Sequence, residues 1–417
     1  MRCAFLFHLR ARFCRIAMGA EPGRAPYEDF RTQISFGLVA AAIVSTAACA
    51  TADIVPSAGS RTGGPVPAQT ISFKSGALSS GWVDFTPHVN MGIYVPVQIN
   101  GHEAMAMLYG GPSSIDKEFA ASIDLAAGGL QVQVGDLTFQ NANAKPDDLQ
   151  VQAYARYIGR PAPFRLGKEV FKQVAVDIDY PNHRVAFLDP KTVTKPPGAI
   201  EVPLLELEGE RVVPISVNGA APAQFELELG NVIGPLMVTP AYAQAHKLLD
   251  GHPTSLRLSG PFSETVVSID GLGFAGVDFA HAPIAIIPDS QLPPASIAGG
   301  VGLPLLDKFR LIIDYSHNRL YAIPSAEDIE VPIEKDRIGM ILSKQDNDFT
   351  VAFVSPKSPA DVAGFKKGEK ITLIDGKPFD AWPRLDLIKF QMAPAGTTHS
   401  FTMPDGTVRQ VKAADFF

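Results

Sequence analysis

The side chains that could carry chemistry are three cysteines, nine histidines and a few acidic residues in patterned positions. Cys3, Cys14 and Cys49 all fall in the N-terminal stretch, and no cysteine follows them. The rest of the chain therefore has no structural disulfide, thiolate metal site or cysteine nucleophile. The histidines are scattered without metal-ligand spacing, so neither a metal nor another cofactor is expected. The chain has no Walker loop, no His-Glu-x-x-His and no Gly-x-Ser-x-Gly. Asp116 and Asp124 flank a helix-like segment, where an aspartate at the start can accept free backbone N–H groups. Asp179 and Asp314 each precede a tyrosine and a turn, and read as turn caps. Glu226 and Glu228 share one strand face, the pattern of a solvated charge row.

Cys49 has a second context. The apolar run Phe36-Gly-Leu-Val-Ala-Ala-Ala-Ile-Val-Ser-Thr-Ala-Ala48 follows Arg31 and is shorter than the roughly 20 apolar residues of a membrane span. It reads as the apolar region of a signal peptide, with Met18 or a later codon as the start. Two cleavage patterns compete. Ala48-Cys49-Ala50 is the small-x-small site of ordinary export, with Cys49 discarded. Thr46-Ala47-Ala48-Cys49 is similar to a lipobox without its leucine, with Cys49 as the lipid attachment residue. Either way the expected location is the bacterial cell envelope, periplasmic or anchored at the outer membrane.

These residues need elements to hold them. A chain of 417 residues, 46% hydrophobic and 19% charged, is globular in composition and long enough for two or three domains. A net charge of −7 without a basic patch excludes nucleic acid as an expected partner. Residues 1–50 form the targeting segment and 51–70 a flexible Pro/Gly/Ser/Ala tether. From Ile71 onward, short alternating apolar runs end in turn signals, as in β-strands.

An internal duplication organises those strands. Val95-Pro-Val-Gln-Ile-Asn-Gly101 matches Val213-Pro-Ile-Ser-Val-Asn-Gly219. Each leads to an apolar strand and a glycine turn, Met107-Leu-Tyr-Gly-Gly111 and Phe225-Glu-Leu-Glu-Leu-Gly230, then to a helix-like segment. Each copy closes on an apolar-Gly pair (Leu166-Gly167, Val301-Gly302) and a strand ending in Asp-Tyr (Asp179-Tyr180, Asp314-Tyr315). The copies occupy 71–190 and 212–324, with 191–211 as linker. A third pattern fills 325–417: Ile338-Gly-Met-Ile-Leu342, Ser358-Pro-Ala360, Ala363-Gly364 and Ile374-Asp-Gly376.

The repeated unit resembles the lobe of retropepsin-like and pepsin-like aspartic proteases, with its Val-Pro-Val hairpin, Asp-Thr-Gly loop and later apolar-Gly strand. The last segment resembles a PDZ domain. The fold these resemblances imply is mainly β: two tandem aspartic-protease-like β-barrel lobes, then a PDZ-like β-rich domain with one or two helices. Aspartic proteolysis needs two carboxylates about 3 Å apart that share a proton, one acting as base and the other as acid. Counting back from the turn glycine, the two catalytic slots hold Tyr109 (in Tyr109-Gly110-Gly111) and Glu228 (in Glu228-Leu229-Gly230). A phenol with a reference pKa near 10 is a poor base, and the extra methylene of glutamate displaces its oxygens. Tyr109 also reads as filler at the lobe junction, its hydroxyl capping a backbone group. In the PDZ-like domain, Ile338, Gly339, Met340 and Ile341 would be the loop that holds a peptide carboxylate while the peptide adds as a strand.

These features together imply an exported, catalytically impaired protease-like protein that binds extended peptides or protein C-termini through the inter-lobe cleft and the PDZ domain. Two alternatives stand beside it: an active aspartic endopeptidase using Glu228, and an architectural envelope protein.

Overall fold

The computed structural model describes residues 69–417, except 75, 88–91, 124–128, 141, 150, 152–160, 231–233, 260–261, 346–347 and 383–388. The targeting segment with Cys49, nearly all of the 51–70 tether, and Asp124 lie outside the described residues.

Both copies use the same pairings. In the first, strand Ile93–Ile99 turns into His102–Leu108 through Asn100-Gly101, both at positive φ (47° and 83°). That geometry is easy for Asn-Gly and costly for most other pairs. The chain then passes the Tyr109 loop and returns as Ser114–Asp116. Strand Phe164–Leu166 inserts between these two, parallel to His102–Leu108 and antiparallel to Ser114–Asp116. In the second copy Glu210–Val217 pairs with Ala223–Leu227, and Gly299–Val301 lies parallel to the latter and antiparallel to Leu236–Val238. Short helices follow the returning strands, Lys117–Ser122 capped by Asp116 and Pro240–Ala245 capped by Thr239.

Each copy ends in an Asp-Tyr hairpin, Ala175–Asp179 with Arg184–Leu188 and Phe309–Asp314 with Arg319–Pro324. The two hairpins pair with each other. Ala175–Asp179 runs antiparallel to Phe309–Asp314, with Asp177 opposite Ile312. Those two residues hold the same place in the repeated text, two before the Asp of Asp-Tyr, so a pseudo-two-fold axis passes between them. The result is a central six-stranded sheet to which both copies contribute. Bidentate hydrogen bonds from Arg310 to the buried Asp177, 2.9 and 2.7 Å, tie the copies across it. Asp179 accepts from Asn182 and Arg184, and Asp314 from Ser316, the His317 backbone and Arg319, so both serve their turns.

The stretch read as a linker is partly sheet. Ile200–Pro203 pairs with Arg319–Pro324 in the central sheet, and Leu205–Leu207 pairs with Glu210–Val217. Pro196 and Pro197 sit ahead of these strands, and Pro203 is the last residue of the first of them, opposite Arg319. One apolar core runs through both copies, with Val95, Ile99, Phe164, Phe187, Phe225 and Phe309 fully buried.

The last part of the chain has its own core of Ile338, Met340, Phe349, Phe365, Ile374 and Phe401. Its sheets are Met340–Gln345, Asp348–Val354 and Lys370–Ile371, and Leu373–Ile374, Thr398–Thr402 and Val408–Lys412. A one-turn helix, Pro359–Val362, is capped by Ser358. The chain then crosses to the second copy, where Phe417 is buried with Met237, Val266, Ala285 and Ile287. No helix among the described residues is long and apolar enough to cross a membrane.

Candidate functional site

The two loops are equivalent in backbone. The Tyr109 N–H donates to the Leu166 carbonyl at 3.0 Å, and the Glu228 N–H donates to the Val301 carbonyl at 3.1 Å. Leu166 and Val301 are the apolar members of the two apolar-Gly pairs, so Tyr109 and Glu228 occupy one position in two copies of one motif. The loops also meet. An added Cβ at Gly110 would lie 3.4 Å from the Leu227 carbonyl, and one at Gly230 would lie 3.2 Å from the Tyr109 ring. The Tyr109 ring is thus wedged between Gly111 of its own loop and Gly230 of the other.

Chemically the loops differ. Burial pushes the Tyr109 phenol up to about 12, against the pull of Arg165, whose guanidinium carbon lies 5.4 Å from the ring centroid; Glu228, Glu226 and Glu210 push it further. A neutral phenol can donate a hydrogen bond and cannot act as a base near neutral pH. Glu228 is half-buried with its carboxyl packed against Gly300, where an added Cβ would collide with it. Gly300 and Arg165 are themselves equivalent, each preceding the apolar residue that receives the loop N–H.

The first loop is braced by a residue the sequence did not single out. Glu169 Oε2 accepts from the Ser113 N–H at 2.9 Å and the Ser113 hydroxyl at 3.0 Å, and that hydroxyl accepts from the Gly167 N–H at 2.9 Å. Gly167 must lack a side chain, because a Cβ there would strike the Gly111 carbonyl and the Ser113 backbone.

Glu226 is not on a solvated face. It is half-buried, and burial with the nearby Glu210 raises its pKa to about 7, while Lys168 opposes the shift. Glu210 is itself 3.7 Å from the Lys168 ammonium. These groups, with Lys172, Arg211 and Tyr315, line a cavity of about 10 Å³, room for one water at most. No group of His, Cys, Asp and Glu suited to a metal ion occurs among the described residues.

The second candidate site is the outer edge of Met340–Gln345. Among the described residues this strand pairs with Asp348–Val354 on one side, and its other side is the sheet's edge. The loop leading into it turns at Gly339 (φ 74°). Residues 328–399 match the family model described as the PDZ domain. This segment is a PDZ domain. No curated protein sequence matches the chain. A solved structure, a retropepsin-like aspartic protease from Rickettsia conorii, is 18% identical, covers 30% of this chain and 89% of its own, and has a TM-score of 0.23.

In the PDZ domain the predicted loop residues lie together but are not free. Ile338, Gly339 and Met340 are buried, and Ile341 is half-buried. Asp336 Oδ1 accepts from the Ile338 and Gly339 N–H groups at 2.9 and 2.7 Å. Gln391 donates to the Met340 carbonyl at 2.7 Å.

Proposed function

We propose that the chain is an exported peptide-binding protein in which a PDZ domain is joined to a pair of protease-like lobes that have lost their acid–base pair. The observation that carries this is the PDZ domain with a strand edge to which an extended peptide can add. The inter-lobe loops offer a second contact for extended peptides, with Tyr109 as hydrogen-bond donor and Glu228 as acceptor. Proteolysis through Glu228 is disfavoured because its equivalent in the other loop is a neutral phenol, so no pair of carboxylates shares a proton there. Export rests on the Phe36–Ala48 run, and lipid attachment on Cys49.

The test is an array of extended peptides probed with the full chain, alongside hydrolysis of a fluorogenic peptide pool with and without pepstatin. Peptide retention without pepstatin-sensitive cleavage is expected. Cleavage that pepstatin blocks and Glu228→Gln abolishes would establish the endopeptidase instead. An array with no retained peptide would leave the architectural role. Labelling with a radioactive fatty acid, wild type against Cys49→Ala, distinguishes anchored from soluble export.

A further inference from the structure

The carboxylate-holding loop of the PDZ domain is already holding a carboxylate. The amides expected to receive a peptide terminus include those of Ile338 and Gly339, and both donate to Asp336 Oδ1. Further along the strand, the Met340 carbonyl takes the Gln391 side-chain amide. Gln391 is fixed in turn by its own carbonyl, which accepts from the Arg337 N–H at 2.8 Å.

A third set of contacts covers the loop from outside. The Ala414 N–H donates to the Arg337 carbonyl, and Asp415 pairs with Arg337 at 2.8 Å and Lys335 at 3.4 Å. Phe416 Cζ would lie 3.2 Å from a Cβ at Gly339. Phe417 sits in the second lobe, with its backbone oxygen accepting from Lys335 and Ser268 at 3.1 and 2.9 Å. Ser255 of the same lobe donates to the Pro356 carbonyl at 2.7 Å.

We propose that Asp336 is an internal occupant of the PDZ carboxylate seat and that, with Gln391 on the Met340 carbonyl, it latches the domain shut against the second lobe. A free C-terminal peptide enters only by displacing both. Two features favour displacement over a permanent plug. Both contacts are made by side chains, which can swing away without moving the strand. Burial also raises the Asp336 carboxyl to about 6 despite its two amide bonds and the nearby Arg257, so this carboxylate is held at a cost that a better-placed one need not bear.

The inference rests on the PDZ reading above, and one experiment separates the failure of each. The full chain is titrated with a pool of fluorescein-labelled decapeptides randomised at their last four positions, as free acids and as C-terminal amides. Wild type is expected to bind the acids weakly. Asp336→Ala should bind them at least tenfold more tightly and the amides no better. Asp336→Asn keeps the size and one acceptor oxygen while losing the charge, and should gain about threefold; it serves if the alanine variant melts early. Gln391→Ala should add a further gain to either. Acid-selective binding by wild type that neither Asp336 variant improves would overturn the latch and leave the peptide-binding reading standing. No acid-selective binding by any variant that melts like wild type would overturn both.

Discussion

The Tyr109 and Glu228 loops share a backbone and differ in nearly everything else. Each slot residue donates to the carbonyl of the equivalent apolar residue, Leu166 or Val301, and each loop leans on the other through glycine. Yet one slot carries an aromatic ring under Arg165, and the other a carboxyl packed on Gly300. The substitutions come in matched sets: where the strand residue is arginine the slot is a ring, and where it is glycine the slot is a longer acid. The loop geometry is therefore set by the glycines and the shared sheet, and the slot residues could change without it.

If the shared sheet sets the geometry, breaking it should cost most. Asp177→Ala strands Arg310 and should lower the free energy of unfolding by about 3 kcal/mol, read as a shift of the urea midpoint. The double variant Asp177→Ala with Arg310→Ala should recover part of that loss. A difference between the loops comes next. Gly167→Ala meets backbone and should cost about 3 kcal/mol, whereas Gly300→Ala meets the Glu228 side chain first and should cost about 1 kcal/mol. Equal melting shifts for the two would mean that the Glu228 carboxyl is as fixed as the first loop's backbone.

The third test uses pH. Glu226 is raised to about 7 in the fold, so the folded state binds its proton more tightly than the unfolded state. Its contribution to stability is complete below about 4.5 and is lost as pH rises through 7. Wild type should melt lower at pH 8 than at pH 5.5, by on the order of 1 kcal/mol after solvent screening. Glu226→Gln should flatten that slope, leaving the part due to Asp307 and Asp336, both raised to about 6. The smallest effect is expected for Tyr109→Phe, about 0.5 kcal/mol in the same melts, because the ring does the wedging.

The duplicated text exposed much of this. The two Asn-Gly turns, the apolar-Gly pairs and the Asp-Tyr hairpins were all legible, and with them the equivalence of Tyr109 and Glu228. What sequence left hidden depends on distant partners. Ile200–Pro203 reads as linker in sequence because its neighbours are Pro-rich, and its strand exists only beside Arg319–Pro324. The alternation of Glu226 and Glu228 suggested a wet face because neither Glu210 nor Lys168 is near in sequence. Asp336 is a different case, since an acid two and three residues before the loop amides is a local pattern and could have been noticed.

The central sheet also has a consequence for how the chain is made. Val176 pairs with Ile313, a separation of 313 − 176 = 137 residues. At a synthesis rate of about 5–20 residues per second, the first hairpin waits on the order of ten seconds for its partner strand to emerge. During that interval Ala175–Asp179 presents an unpaired edge on a half-built molecule, the kind of surface that other nascent chains can capture. The first copy is thus a client for whatever shields strand edges during biogenesis, and the length of the second copy sets how long that protection must last.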